Sequence, residues 1–237
     1  PKVNKIFGPG NKYVNEAKIQ VSNDPLGASF DLPAGPSEVL IIADENANAE
    51  LIASDLLAQA EHDPDAVSIC VTPCPSLAQR IQIAVDQQRS DLKRKSILNK
   101  AIKNSFIAVT ANIEDAFVAA NTYAPEHLII NTTDPNRFID RIQNAGSVFL
   151  GPWSAEAIGD YASGPNHVLP TNGNAKKYSG LSVESFMKSI TFQEVSPQGL
   201  IDIAETVETL AKYEGLQNRI SSTSKPVGSV DGSLCLV

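Results

Sequence analysis

Short apolar runs alternate along the chain with longer stretches in which apolar residues recur at helical spacing. The runs Glu38–Ala43, Ala66–Thr72, Phe106–Thr110, His127–Asn131 and Ser147–Leu150 predict strands, with Ser29–Leu32 as a further short one. Asn48–His62 places Leu51, Ile52, Leu56 and Leu57 at the helical period. Asn11–Val21, Ser76–Leu92 with Ser76 as its N-cap, Ile113–Tyr123 and Pro135–Ala145 predict the other helices. Strands alternating with helices in this way imply an α/β fold, a mostly parallel sheet with helices on its faces.

The pattern changes after Gly151. Up to Gly180 the chain carries Gly159, Gly164, Gly173, Pro152, Pro165 and Pro170, which predicts long loops of the kind that usually carry function. Ile190–Val195 predicts a strand, and Pro197–Tyr213 an amphipathic helix that forms a C-terminal helical extension. From Ile220 the composition falls to Ser, Thr, Gly, Lys and Pro, which predicts a disordered tail.

Composition narrows the function classes. With 237 residues and 42% hydrophobic content the chain has enough apolar material for a packed core. Its 19 basic and 27 acidic residues give a net charge of −8, which argues against a nucleic-acid surface. A small dinucleotide is still admissible, because backbone N–H groups and helix N-termini can hold it. No uncharged apolar stretch approaches the roughly 18 residues of a membrane span. The start, Pro1-Lys2-Val3-Asn4-Lys5, is neither Met nor a signal peptide and reads as part of something longer. Cys70, Cys74 and Cys235 make an odd count without a disulfide framework, which predicts a reducing, cytoplasmic setting. Cys70 and Cys74 lack the second Cys or His pair of a thiol metal site.

The three histidines carry the candidate chemistry. Gln59 and His62, three apart, share a helical face and can hold one ion together. His127 follows Glu126 between a helix and a strand, where α/β folds place active groups. A carboxylate and an imidazole side by side can pass protons to and from water or an alcohol near neutral pH. His167 lies in the glycine-rich loops beyond Asp160, and His62 and Asp160 are reasonable zinc ligands. Phe7-Gly8-Pro9-Gly10-Asn11 opens a helix and can bring backbone close to phosphate, although it lacks a third glycine and follows no clear strand. A zinc hydrolase using Glu126 as base has no HExxH-type helix to support it.

In order along the chain, Ile6-Phe7-Gly8-Pro9-Gly10-Asn11, Asp31-Leu32-Pro33-Ala34-Gly35-Pro36-Ser37-Glu38 and Gln59-Ala60-Glu61-His62 come first. Ala124-Pro125-Glu126-His127-Leu128, Gly146-Ser147-Val148-Phe149-Leu150-Gly151, Gly159-Asp160-Tyr161-Ala162-Ser163-Gly164 and Asn166-His167-Val168-Leu169-Pro170-Thr171 follow. Together these motifs resemble the histidinol dehydrogenases, over Pro1 to about Asn218 and over the second half of that family's chain.

The resemblance implies NAD-dependent oxidation of L-histidinol through histidinal to L-histidine, with zinc orienting the substrate. It implies a Rossmann-like sheet that this chain holds only in part, and a homodimer in the complete protein. It also implies that 1–38 closes a nucleotide-binding subdomain, 39–181 is the main α/β domain, 182–219 is a dimer-contact segment and 220–237 a tail. By motif match, Gln59, His62 and Asp160 correspond to zinc ligands, His127 to the general base and Glu126 to the group that activates water. Ser37 and Glu214 correspond to substrate contacts, along with Gln59, His62, His127 and Asp160, and Asn11 corresponds to an NAD contact. One departure stands out. The family's fourth zinc ligand is a His in Glu-Gly-Leu-x-x-His, whereas here Glu214-Gly215-Leu216-Gln217-Asn218 leads to Arg219, whose guanidinium cannot bind zinc. The tail from Arg219 is expected to match nothing in the family. An inactive relative kept as a binding or assembly piece is the alternative that follows.

Overall fold

A computed structural model describes residues 1–33 and 35–216. The chain divides into two units, Pro1–Met187 and the segment from Lys188 onward. In the first unit, the strands β1 (Lys5–Ile6), β2 (Ser29–Phe30), β3 (Glu38–Ala43), β4 (Val67–Thr72), β5 (Phe106–Val109), β6 (His127–Asn131) and β7 (Ser147–Leu150) form two sheets. β1 and β2 pair in parallel, and the other five run parallel in the order β5-β4-β3-β6-β7. The helices are α1 (Lys12–Asn23), α2 (Ala49–Ala60), α3 (Pro75–Gln88), α4 (Lys95–Ala101), α5 (Ile113–Tyr123) and α6 (Glu156–Tyr161).

The alternation of side chains along β3 explains why the strand reads as one continuous apolar run. Val39, Ile41 and Ala43 point to one face, where Ile52 and Leu56 of α2 and Leu77 and Ile81 of α3 cover them. Leu40 and Ile42 point to the other, beneath Ala116, Phe117 and Ala120 of α5. All six residues of β3 are buried, as expected of the middle strand of a sheet with helices on both sides.

Several sequence expectations change. The third helix begins at Pro75 with Cys74 as N-cap, not at Ser76, because proline is pre-set for the first helical position. The helix expected over Pro135–Ala145 is a 3₁₀ turn, Pro135–Arg141. The Asn121 side-chain oxygen accepts the N–H groups of Gln143 and Asn144, which releases the chain from helix into β7. Within the expected loops after Gly151 lies α6, and α4 was not anticipated. The glycine motif at Gly8 does follow a strand, the two-residue β1.

The second unit holds α7 (Pro197–Tyr213). Ser196 caps it, with Oγ accepting from Gly199 N, and Gly215 at φ 71° lets the chain turn out of the helix. The strand expected at Ile190–Val195 does not form: these residues are exposed and pair with no strand among the described residues. The expected tail 220–237, Arg219 and Cys235 lie outside the described residues. No helix of the described residues is long and apolar enough to cross a membrane.

Candidate active site

The amino ends of β3 and β6 border a cavity of about 450 Å³ lined by Ser37, His62, Glu126, His127, Asp160 and His167, with Pro9 to Tyr13 along one wall. The chain leaves β3 toward β4 and returns on its other side as β6, so this pair is the topological switch point of the sheet. Open α/β sheets normally bind ligands at the carboxyl ends of such strands. Here the turns that lead into the strands carry the chemistry, which corrects the expectation drawn from His127's place in the chain.

Local geometry explains the arrangement. At the end of α5, Ala124 adopts φ 59°, a left-handed conformation that turns the chain sharply into Pro125-Glu126-His127. On the strand itself His127 shares a face with Ile129, the side covered by α2 and α3. Glu126 precedes the strand, so alternation does not send it to the opposite layer, and it faces the same cavity. Gly146 packs against this turn so closely that an added Cβ would lie 2.6 Å from the Glu126 carbonyl oxygen.

His127 and Glu126 are both buried. The His127 Nδ1 lies 3.0 Å from the main-chain oxygen of Glu38, 3.6 Å from Glu126 Oε2 and 4.0 Å from Glu156 Oε1; Nε2 lies 3.8 Å from Asp160 Oδ1. Burial pulls the imidazole pKa below its usual value, so the ring is neutral near pH 7 and its carboxylate neighbours are polar contacts. Burial lifts Glu126 to about 8, and the nearby Glu38, Glu156 and Asp160 charges push the same way against the Glu38 N–H that bonds it. Glu156 is lifted to about 7, again mainly by burial, with Asp160 and Asp55 adding to it.

The motif residues divide by position. Ser37, His62, Glu126, His127, Asp160, His167 and Asn11 all line the cavity. Gln59 lies in α2 with its side-chain oxygen and nitrogen both buried and without a hydrogen-bond partner in the structure. His62 comes just past the end of the helix, its N–H bonded to Gln59 O. Asn11 uses its Oδ1 to cap α1, accepting from Tyr13 and Val14 at 3.0 and 3.2 Å, so any ligand contact through this side chain falls to Nδ2. Glu214 caps the carboxyl end of α7 in the second unit. Cys70 is buried, its thiol pushed up to about 12 by burial, and belongs to no candidate metal group among the described residues.

Two residues of the site escape the motif reading. Glu156, at the start of α6, joins His127 and Asp160 in a group whose ligand atoms all lie within 4.8 Å of one another. Glu38 bonds both Glu126 and His127 through its main chain. The signal for Glu38 was available, since it is a charged residue opening an otherwise apolar buried strand. Glu156, in a loop-like glycine-rich stretch, gave none. The donor set suits a divalent cation such as zinc. His62 and Asp160 line the cavity, and among the described residues Glu126 and Glu156 are buried without a Lys or Arg ion pair and the Gln59 amide has no hydrogen-bond partner.

The wall formed by residues 9 to 13 is held from below. Lys18 Nζ bonds Gly8 O and lies 2.9 Å from Asp31 Oδ1, while Asp31 Oδ2 accepts from Gly8 N at 2.8 Å. The Gly8 peptide is thus gripped at both its polar groups by a buried ion pair.

The histidinol dehydrogenase family model matches residues 1–225. The chain is 54% identical over 215 residues to a histidinol dehydrogenase of Vibrio cholerae, covering 91% of this chain and 50% of that protein. It is 48% identical to one of Yersinia pestis over 237 residues, which is 100% of this chain and 54% of the relative. A crystal structure of histidinol dehydrogenase from Elizabethkingia anophelis superposes with a TM-score of 0.92 at 46% identity, covering 98% of this chain and 53% of that one. The chain therefore spans about half the length of the curated relatives it matches. The similarity also runs through Arg219 into the tail, which overturns the expectation that the family pattern ends there.

Proposed function

The chain belongs to the histidinol dehydrogenase family, and from that premise we propose that it provides the zinc and proton-transfer half of an enzyme oxidising L-histidinol through histidinal to L-histidine. The observation that carries this reading is the convergence of His62, Glu126, His127 and Asp160 on one cavity. Gln59, His62 and Asp160 would hold zinc, and Asn11 would meet NAD. When bound, zinc supplies a fixed charge that orients the substrate, and NAD takes up the hydrides. The neutral His127 takes the alcohol proton at Nε2, because Nδ1 already donates to Glu38. Glu126, with a pKa near 8 in this environment, can hold or release a proton at physiological pH and activates water for the aldehyde step. Ser37 and Glu214 contact the substrate.

Residues 1–38 end a nucleotide-binding subdomain, and 182–219 meet a second copy of the protein. The exposed Phe192 of the second unit and Ile201, Leu210 and Tyr213 of α7 support that last assignment. The setting is cytoplasmic. A second reading, an inactive relative, is favoured by Arg219, a protonated guanidinium where the family pattern has a ligand.

Calorimetry of the chain with zinc and then L-histidinol tests the assignment. Zinc-dependent histidinol binding that is lost in Asp160→Ala supports it. NADH absorbance is then followed in the chain completed with the amino-terminal half of a relative. Absence of both binding and turnover, including after Arg219→His, overturns the proposal.

A further inference from the structure

Glu38 is buried at the start of the middle strand, yet no step assigned above uses its side chain. A carboxyl group at such a position needs partners to be tolerated. Its Oε1 accepts the Asn172 N–H at 3.1 Å, while its Oε2 is buried without a hydrogen-bond partner among the described residues. Its main-chain N–H donates to Glu126 Oε2 at 2.9 Å, and its carbonyl lies 3.0 Å from His127 Nδ1. A single residue therefore touches both members of the proton-transfer pair through its peptide groups.

Strand register makes that contact depend on something besides the ladder. β3 pairs with β4 from Glu38 opposite Val67, but it pairs with β6 only from Val39 opposite His127. On the β6 side Glu38 sits one residue outside the paired region, so its peptide groups are aimed by other restraints. The side-chain bond from Asn172 is one of these. A second bond, Gly35 N–H to Thr171 Oγ1, ties the same two segments together. Asn172 presents its N–H from a left-handed conformation, φ 54°, which Asn adopts more readily than most residues. Val168, Leu169 and Thr171 of this segment line the cavity, so the anchor also fixes part of its wall.

We propose that Glu38 is a positioning residue for Glu126 and His127. Its carboxyl group, held by the Asn172 N–H, fixes the first turn of chain into β3, so that its N–H orients the Glu126 carboxylate and its carbonyl keeps His127 as the Nδ1–H tautomer with Nε2 open to the substrate. The proposal rests on the reading of Glu126 and His127 as the proton-transfer pair.

The test reads the His127 ring directly by ¹⁵N–¹H NMR of the whole chain, without zinc or substrate, at about pH 8 where the imidazole is neutral. Glu38→Gln keeps an acceptor for Asn172 and should leave the ring as a single Nδ1–H tautomer, as in the parent chain. Glu38→Ala should reduce the Nδ1–H preference about tenfold, giving a mixture with Nε2–H, the form favoured by free imidazole. In the chain completed for activity, Glu38→Ala should lower kcat about tenfold to a hundredfold with little change in KM, and Glu38→Gln should restore most of it. A parent ring in the Nε2–H form, or a folded Glu38→Ala chain whose ring stays entirely Nδ1–H, overturns the proposal. Should Glu38→Ala fail to fold, Thr171→Val removes the bond to Gly35 that ties the same two segments and must shift the ring part of the way; an unchanged ring there overturns it equally. A tautomer that responds in a protein without turnover defeats the functional reading instead, so the two failures are distinguishable.

Discussion

The Nδ1 of His127 lies 3.0 Å from the main-chain oxygen of Glu38. A carbonyl oxygen only accepts, so Nδ1 carries the proton of the neutral ring and Nε2 is left with its lone pair on the side of Asp160. His127→Asn supplies an N–H in place of Nδ1 but nothing in place of Nε2. In the chain completed for activity, kcat should fall about 10²- to 10⁴-fold, the span usual for a lost general base. Circular dichroism and zinc content should be unchanged. A variant turning over at the parent rate would remove His127 from the reaction.

Substitution of Gln59 is expected to separate stability from metal binding. Both polar atoms of its side chain are buried and unpartnered, a burden of about 1–3 kcal/mol when such groups go unpaired. Gln59→Leu should stabilise the metal-free chain by about 1 kcal/mol in urea unfolding, while weakening zinc affinity in competition with a chelator. Equal destabilisation with and without zinc would show that the amide has partners in solution.

The buried carboxyl groups set a pH dependence whose sign can be worked out. Burial raises Glu126 to about 8 and Glu156 to about 7 from a usual 4.5, and Asp55 to about 6 from 3.8. Each binds its proton more tightly folded than unfolded, so its stabilisation is complete below the unfolded value and is lost as pH climbs through the folded one. His127 acts in the opposite direction. Its pKa is depressed from 6.5, so its contribution is present above that value and lost as pH falls through the lowered one. Glu38 is also raised by burial, and these four carboxyls against one imidazole make the metal-free chain less stable at pH 8 than at pH 5. The melting temperature should drop by about 2–4 °C for each kcal/mol lost. Zinc should raise it more at pH 8, where the carboxylates are charged. A melting temperature that rises between pH 5 and 8 in the absence of metal would contradict this account.

Lys18 and Asp31 form the one buried Lys–Asp pair among the described residues, and together they hold the Gly8 peptide. Burial alone would raise the Asp31 pKa, but the bonds from Lys18, Gly8 and Leu32 more than offset it and hold the carboxylate below its usual range. Lys18→Met leaves that carboxylate buried and uncompensated, which should cost about 3–5 kcal/mol in denaturant unfolding. Lys18→Met with Asp31→Leu should recover much of this loss, because it removes the stranded charge. If the double variant is no more stable than the single one, the loss comes from packing and not from charge.

What the sequence alone determined is what repeats locally or is tied to a motif. The continuous apolar run Val39–Ala43 and the helical period of Leu51, Ile52, Leu56 and Leu57 specify a buried strand and an amphipathic helix, because burial along a strand and on a helix face have different periods. The ordered motifs named the family and most of the side chains around the cavity. Tertiary structure decided the rest. The site lies at the amino edge of the sheet because β3 and β6, 89 positions apart at Glu38 and His127, pair side by side. No local pattern encodes that register, and it is the register that turns Glu38 from a misplaced charge into a contact of both Glu126 and His127. Glu156 likewise gains its chemistry from burial beside Asp160 and Asp55. A carboxyl group's proton affinity depends on the dielectric and the charges around it, and those exist only once the chain has folded.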